Sequence, residues 1–277
     1  MCGIAGLAGQ RPVNEDTVHK MTDLLVHRGP DDCGYWRSSN GTVCLGHRRL
    51  SIIDTSSAGH QPMVKDLTVI TYNGELYNYL ELRSRLRAEG VCFISSSDTE
   101  VVLEAYRRWG ERCLVEFNGM FAFALYDADR DLIFCARDRF GEKPLLYCLQ
   151  KGAFAFASEY KALLNLEGVS QEIDSLKLLT FLDKPSVGLD DAEETVFPAI
   201  KQLLPAHSLT LNLKDFSVKT RQYWTPKLDT QISTCSQGEI QDAFSSLLTD
   251  SVRIRMRSDV PVGSCLSGGL DSSSIVG

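Results

Sequence analysis

Met1-Cys2-Gly3-Ile4-Ala5-Gly6-Leu7-Ala8 opens the chain. Gly3 to Ala8 is short and apolar, the pattern of a buried strand. A cysteine therefore stands directly ahead of the first strand. Once Met1 is removed, Cys2 carries both a thiol and a free α-amino group. Such an amine has an ordinary pKa of about 7.7–8.0, so it is partly neutral near pH 7. It can take the thiol proton, directly or through a water, and the nucleophile needs no histidine. Alone, a cysteine at position two is equally an incidental thiol, and the rest of the chain has to decide.

Moving outward, strand and helix patterns alternate. Asn14 is a candidate N-cap, with Val18, Met21, Leu24 and Leu25 following at helical spacing. Thr68 to Tyr72 reads as a strand running into Asn73-Gly74-Glu75, taken as loop residues after it. Tyr79, Leu82 and Leu86 predict a helix closed at Gly90. Ser97-Asp98-Thr99-Glu100 has capping-box spacing before a helix that Gly110 ends. Phe121 to Tyr126 and Asp131 to Ala136 predict a hairpin, and Phe154 to Ala157 another strand. Ser158 can cap a short helix from Glu159 to Leu164. Ser208 to Leu213 and Ser217 to Tyr223 predict one more hairpin. Thr225 to Gln237 is polar and reads as a linker. Ser236 and Glu239 then cap a helix with Ile240, Phe244, Leu247, Leu248 and Val252 on one face. Val260 to Leu266 predicts an apolar strand, turned by Ser267-Gly268-Gly269 into a last helix.

The 277 residues suit one large or two smaller domains at roughly 150 residues each. Hydrophobic residues make up 43% and charged residues 23%, an ordinary globular balance. Twenty-nine basic against thirty-six acidic residues give a net charge of −7. That opposes a nucleic-acid face, and no apolar run is long enough to span a bilayer. The start lacks a signal peptide's basic and long apolar regions. The nine cysteines include no C-x-x-C pair, so a zinc or redox motif is not expected. Free thiols in a reducing compartment, the cytoplasm, are expected, with the cysteines other than Cys2 as small core residues.

Two further groups can carry chemistry. Asn73's amide and Gly74's N–H can supply two oxyanion donors. Arg49 suits an α-carboxylate through its fork, and Asp98 and Glu75 suit an α-ammonium. Near the other end, Ser267-Gly268-Gly269-Leu270-Asp271-Ser272-Ser273 bares N–H groups and hydroxyls for a phosphate. Asp271 can hold Mg²⁺. Without Gly-Lys-Ser/Thr, this is not a Walker A loop.

Together these stretches resemble the class II glutamine amidotransferases, and among them the glutamine-dependent asparagine synthetase family. The other segments that carry the resemblance are His27-Arg28-Gly29-Pro30-Asp31, His47-Arg48-Arg49-Leu50-Ser51-Ile52-Ile53-Asp54, Tyr72 to Asn78, Gly119 to Ala124, Arg137-Asp138-Arg139-Phe140-Gly141-Glu142-Lys143-Pro144-Leu145, Ser158 to Leu163 and Ser258 to Gly263. The resemblance implies an α+β fold, a four-layer α/β/β/α sandwich of the N-terminal-nucleophile type, followed by the start of an α/β ATP pyrophosphatase domain. The implied domains are 2–213 (glutaminase), a linker 214–235, and 236–277.

In the reaction so implied, Cys2 attacks glutamine's side-chain amide, leaving a glutamyl thioester and ammonia. Arg49, Leu50, Ser51, Ile52 and Ile53 hold the carboxylate end, Asn73 and Gly74 form the oxyanion hole, and Glu75 and Asp98 hold the amino end. Leu266, Ser267, Gly268, Gly269, Leu270, Asp271, Ser272 and Ser273 hold ATP, with Asp271 on Mg²⁺. Aspartate is activated as an acyl-adenylate that ammonia attacks to give asparagine. Glutamine, ATP and aspartate are the implied partners, with a homodimer held open.

Leu204-Pro205-Ala206-His207 departs from the family's more usual Pro-Pro-Gly-His, which reads as loop variation. Most of the second domain is missing, so a truncated chain and glutaminase activity alone are expected. Two alternatives remain: a relative amidating a sugar acid, peptide or antibiotic precursor, and a non-catalytic partner fragment.

Overall fold

A computed structural model describes residues 1–150, 152–183, 192–227 and 235–277. Two compact units emerge, Met1–Trp224 and Thr225–Gly277. The strands are β1 (Gly3–Gly9), β2 (Asp32–Arg37), β3 (Val43–Arg49), β4 (Met63–Lys65), β5 (Thr68–Leu76), β6 (Gly119–Asp127), β7 (Leu132–Arg137), β8 (Leu146–Gln150), β9 (Ala153–Ala157), β10 (Lys201–Gln202), β11 (His207–Asn212) and β12 (Val218–Gln222). The helices are α1 (Glu15–Asp23), α2 (Tyr79–Ala88), α3 (Asp98–Trp109), α4 (Cys113–Glu116), α5 (Tyr160–Leu164), α6 (Ser175–Asp183), α7 (Gln237–Arg255) and α8 (Leu270–Val276).

The first unit holds two six-stranded antiparallel sheets. One runs β10-β8-β9-β1-β3-β2 and the other β12-β11-β7-β6-β5-β4. Side-chain alternation sets what each face packs against. On β6, Phe121, Phe123 and Leu125 face a core shared with α2 and α3, while Ala122, Ala124 and Tyr126 face the other sheet. On β9 the arrangement reverses. Phe154 and Phe156 fill the space between the sheets, and Ala155 and Ala157 face a core shared with α1 and α5. Bulky rings from one sheet thus meet alanines from the other. Three cores in succession make a helix–sheet–sheet–helix sandwich. Gly6 belongs to the same fit, since a Cβ there would stand 2.4 Å from Phe156 Cε1.

Several local expectations change. The Asn14 cap forms, its side chain accepting from Asp16 N. Ser97 caps α3 through Thr99 N, but Glu100 does not complete a capping box. Its carboxylate instead accepts from Ile94 N, Ser95 N and Lys65 Nζ, because a half-buried lysine and loop amides compete for it. Ser158 does not cap α5. Its hydroxyl accepts from Ile4 N at 3.0 Å and ties β9 to β1. Asn73-Gly74-Glu75 lies within β5 rather than in a loop after it. Only Cys44, Cys113, Cys135 and Cys148 of the eight expected core cysteines are buried, and Cys33, Cys92, Cys235 and Cys265 are exposed. A small side chain on an edge strand or loop has nothing to cover it.

Residues 214–224 carry β12, paired to β11, so they belong to the first unit and not to the expected linker 214–235. Part of the remainder, 228–234, falls outside the described residues.

In the second unit, α7 starts with the expected capping box of Ser236 and Glu239. The strand predicted over 260–266 does not form. A strand needs a neighbour for its backbone groups, and no strand lies among the described residues of this unit. Phe244 and Leu247 on α7 are 66% and 72% exposed.

Candidate active site

The site lies at one end of the first unit's sandwich, where β1 begins and β3 ends in one sheet and β5 crosses opposite them in the other. Gly3 pairs with Arg48, so Cys2 stands beside Arg49. Val69, Thr71 and Asn73 alternate on the β5 face that looks toward the other sheet, as Val69's place in the inter-sheet core shows. A cavity of about 140 Å³ opens here, lined by Cys2, Arg49, Leu50, Ile52, Ile53, Asn73, Gly74, Glu75 and Asp98. Ser51 is the one member of the expected 49–53 segment that does not line it. Its N–H turns to Asp31 Oδ2 at 2.8 Å instead.

The thiol is held from two sides. Leu50 N donates to Cys2 Sγ at 3.4 Å, and Arg28 Nε donates to the Cys2 carbonyl at 2.8 Å. Arg28 is itself fixed by Glu159 at 2.9 Å. Burial pushes the Cys2 thiol up, opposed by the Leu50 N–H and the N-terminal amine. That amine, which in the structure belongs to Met1, is pushed down, by burial first and then by the positive charges of Arg28 and Lys143. Both shifts weaken the charged forms, as desolvation does.

Two hydrogen-bond donors converge on the cavity. Asn73 is 1% exposed, and neither its Nδ2 nor its Oδ1 has a hydrogen-bond partner among the described residues. Alternate N–H groups of a strand point to the same edge. On β5, Tyr72 N donates to Gln61 Oε1 at 2.7 Å and Leu76 N to Asp98 Oδ2 at 2.9 Å. Gly74 N–H lies between them and faces that same edge, away from β6. A Cβ at Gly74 would stand 2.5 Å from Met120 O, so only glycine lets β5 lie this close to β6 here.

Charge is placed at the far wall. Arg49 is 5% exposed, and its guanidinium donates to the carbonyls of Ser56 (3.0 Å), Ile53 (3.4 Å) and Asp54. Neutral carbonyls orient the fork and leave its charge for an anion. Asp98 opens α3 and accepts from Tyr72 Oη at 3.2 Å. Burial raises its pKa to about 6, with Glu75's charge adding to the rise and the Leu76 N–H and Tyr72 hydroxyl opposing it. Glu75 is raised by burial too, with Lys143 and the amine opposing. Such an arrangement suits a zwitterionic amino acid whose side chain reaches Cys2.

Gln61, Ser97, Thr99, Met120 and Lys143 also line the cavity, and the sequence reading gave them no role in the site. Ser97 and Thr99 flank Asp98 and could have been found by proximity. Gln61 had no sequence signal.

At the other candidate site, residues 266–271 and Ser273 are exposed and Ser272 is half-buried. Ser267 Oγ and Ser272 Oγ lie 3.0 Å apart, and Gly268 adopts φ +80. Hydroxyls and glycine amides are donors that fit phosphate oxygens, and Asp271 is a single carboxylate that could take one position on a divalent cation.

The chain belongs to the glutamine amidotransferase family: the family model described as glutamine amidotransferase domain matches residues 1–224. An asparagine synthase model matches residues 243–277. Among curated relatives, asparagine synthetase [glutamine-hydrolyzing] 3 of Bacillus subtilis is 40% identical, over 99% of this chain and 44% of its own length. Amidase chry2 of Gibberella zeae is 36% identical, over 100% of this chain and 42% of its own. The chain spans about half the length of the curated relatives it matches. A solved structure of glutamine phosphoribosylpyrophosphate amidotransferase from B. subtilis superposes with a TM-score of 0.60 at 20% identity. It covers 81% of this chain, while this chain covers 50% of it, and it supports the fold. No helix among the described residues is long and apolar enough to cross a membrane.

Proposed function

We propose that the first unit is an N-terminal-nucleophile glutaminase, and that the chain serves glutamine-dependent asparagine synthesis. The observation that carries the reading is the single cavity gathering Cys2, the partnerless Asn73 amide, Arg49 and Asp98.

With Met1 removed, the α-amine sits on Cys2 and takes the thiol proton. Arg49 binds the substrate's α-carboxylate, and Asp98 with Glu75 binds its α-ammonium. Leu50, Ile52 and Ile53 wall the methylene chain. The thiolate attacks the side-chain amide carbon, and the oxyanion forms between Asn73 Nδ2 and Gly74 N–H, where preorganised donors act most strongly. Collapse expels ammonia, with the proton returned from the α-ammonium. Water then cleaves the thioester to glutamate.

The second unit is read as the start of a synthetase domain of the ATP pyrophosphatase type. Ser267, Gly268, Gly269, Ser272 and Ser273, between Leu266 and Leu270, would hold the pyrophosphate of ATP, and Asp271 its Mg²⁺. ATP would supply the activation of aspartate's carboxyl. The match of an asparagine synthase model to 243–277 supports this. Nine free cysteines suit the cytoplasm. The amidase name of a 36% identical relative favours, as a second reading, an acceptor other than aspartate.

Glutamate release from glutamine by the chain, beside Cys2→Ala, tests the glutaminase. Release that disappears in the variant is expected. Release that survives it, or none once Met1 removal is confirmed by mass, overturns the reading.

A further inference from the structure

Arg137 to Lys143 reads Arg-Asp-Arg-Phe-Gly-Glu-Lys. Asp138 is fully buried, and its carboxylate accepts the N–H groups of Phe121 (3.1 Å), Phe140, Glu142 and Lys143 (3.0 Å each). Arg137 Nε donates to Lys143 O at 2.8 Å. Gly141, at φ +71, lets the turn close. Four amides and a guanidinium therefore fix the backbone at Lys143, whose side chain lines the Cys2 cavity and is 6% exposed.

A buried ammonium is costly unless something compensates it. Burial pushes the Lys143 ammonium down, Arg28 adds to that, and Glu75, Glu142 and Cys2 oppose it by favouring the charge. The α-amine of Met1, the neighbour of Cys2 in the uncleaved chain, feels it as a like charge. No carboxylate stands within ion-pair distance of Lys143 among the described residues, so its charge is spent on no fixed partner at the site. Arg49 already serves one end of a zwitterion and Asp98 the other. Lys143 is a surplus cation, on the nucleophile's side.

We propose that Lys143 is a positioning residue of electrostatic kind, whose ammonium stabilises the Cys2 thiolate and keeps the neighbouring α-amine neutral and able to accept the thiol proton. The S–H bond breaks and an N–H bond forms on the α-amine, while Lys143 exchanges no proton. The proposal rests on the glutaminase reading. Burial pushes the Cys2 thiol up and the charge of Asp98 adds to the rise, while the Leu50 N–H, the amine and Arg49 oppose it; Lys143 brings a further positive charge to the same cavity. An opposite charge a few ångströms away shifts such a group by about one unit or more.

The test is the pH dependence of Cys2 alkylation by iodoacetamide in the full chain with Met1 removed. The N-terminal peptide is read by mass spectrometry, because Cys33, Cys92, Cys235 and Cys265 are also exposed. K143Q is expected to raise the midpoint by about one pH unit and to move the acid limb of glutamine hydrolysis by the same amount. K143R is expected to leave both in place. A K143Q midpoint that coincides with the unsubstituted chain overturns the proposal, as does a K143R midpoint displaced as far as that of K143Q. If K143Q does not fold, K143M takes its place, with the same expected rise and the same overturning result. Alkylation judges Lys143, and glutamate release separately judges the glutaminase reading.

Discussion

Asn73→Ala should lose activity without losing stability. Asn73 is 1% exposed, and its amide nitrogen and oxygen have no hydrogen-bond partner among the described residues. A buried polar group left unpaired costs about 1–3 kcal/mol. Truncation removes that cost. It also removes packing atoms, but beside a cavity of about 140 Å³ that already exists, so the added loss is about 1 kcal/mol. The net change in folding stability lies between about 0 and 2 kcal/mol in favour of the variant. For a unit of this size each kcal/mol moves Tm by about 2–4 °C. Loss of one oxyanion donor costs about 2.7–4 kcal/mol of barrier, or about 10²–10³ in kcat. Thermal melts and glutamate-release kinetics on the same preparations read both quantities. A variant that melts well below the unsubstituted chain yet keeps its kcat would refute the reasoning. Asn73 would then be a structural residue that only borders the cavity.

Three further outcomes are expected. Asp98 has its folded pKa raised to about 6, so the stability it contributes is full below its ordinary value and is lost as pH rises through about 6. Its charged form is the one that binds an ammonium, so KM for glutamine should rise as pH falls through about 6, and a KM flat across that range would remove Asp98 from substrate binding. Gly6→Ala places a methyl 2.4 Å from Phe156 Cε1, and calorimetry should show a loss of about 1–3 kcal/mol, partly recovered by Phe156→Leu; additive effects of the two substitutions would count against the contact. Phe244 and Leu247 are 66% and 72% exposed on α7, so Phe244→Glu with Leu247→Glu should reduce light scattering on concentration and leave the main melting transition in place; unchanged scattering would show that this face does not drive association.

Much of the first unit was legible because its strands carry strict alternation. Phe121 to Tyr126 and Phe154 to Ala157 could be read directly. The β2–β3 hairpin could not. Its strands contain Gly34 and Gly46 and end in charge, and the reason is tertiary: a Cβ at Gly46 would stand 2.1 Å from Thr22 Oγ1 on α1. Asn73-Gly74 looks like a turn by composition, yet it lies in a strand because β6 passes too close for any side chain at Gly74. The error at 260–266 has the opposite origin. Its apolar run is real, but a strand is a property of a pair, and the pattern says nothing of whether a neighbour exists. Lys143 escaped notice because its meaning depends on Asp138, whose four amide contacts cannot be seen in a string of letters.

The residues that break local rules in the first unit gather at one place. Asn73 is a buried amide without a partner among the described residues, Gly74 is a glycine inside a strand, and Asp98 is a carboxylate whose burial opposes its charge. Lys143 is an ammonium 6% exposed with no fixed ion pair among the described residues. Each lowers stability by itself, and a sequence under selection for folding alone would replace them. Their cost is offset by the three cores around them, and the backbone beneath each is pinned, by Gln61 and Asp98 along β5 and by Asp138 under Lys143. Polar groups held rigidly without partners are what a ligand with complementary charges would complete. The 266–273 loop shows the contrast: its hydroxyls already bond one another and its backbone lies exposed. By this physical criterion the first unit carries a preorganised cavity, and the largely exposed 266–273 loop does not share that feature.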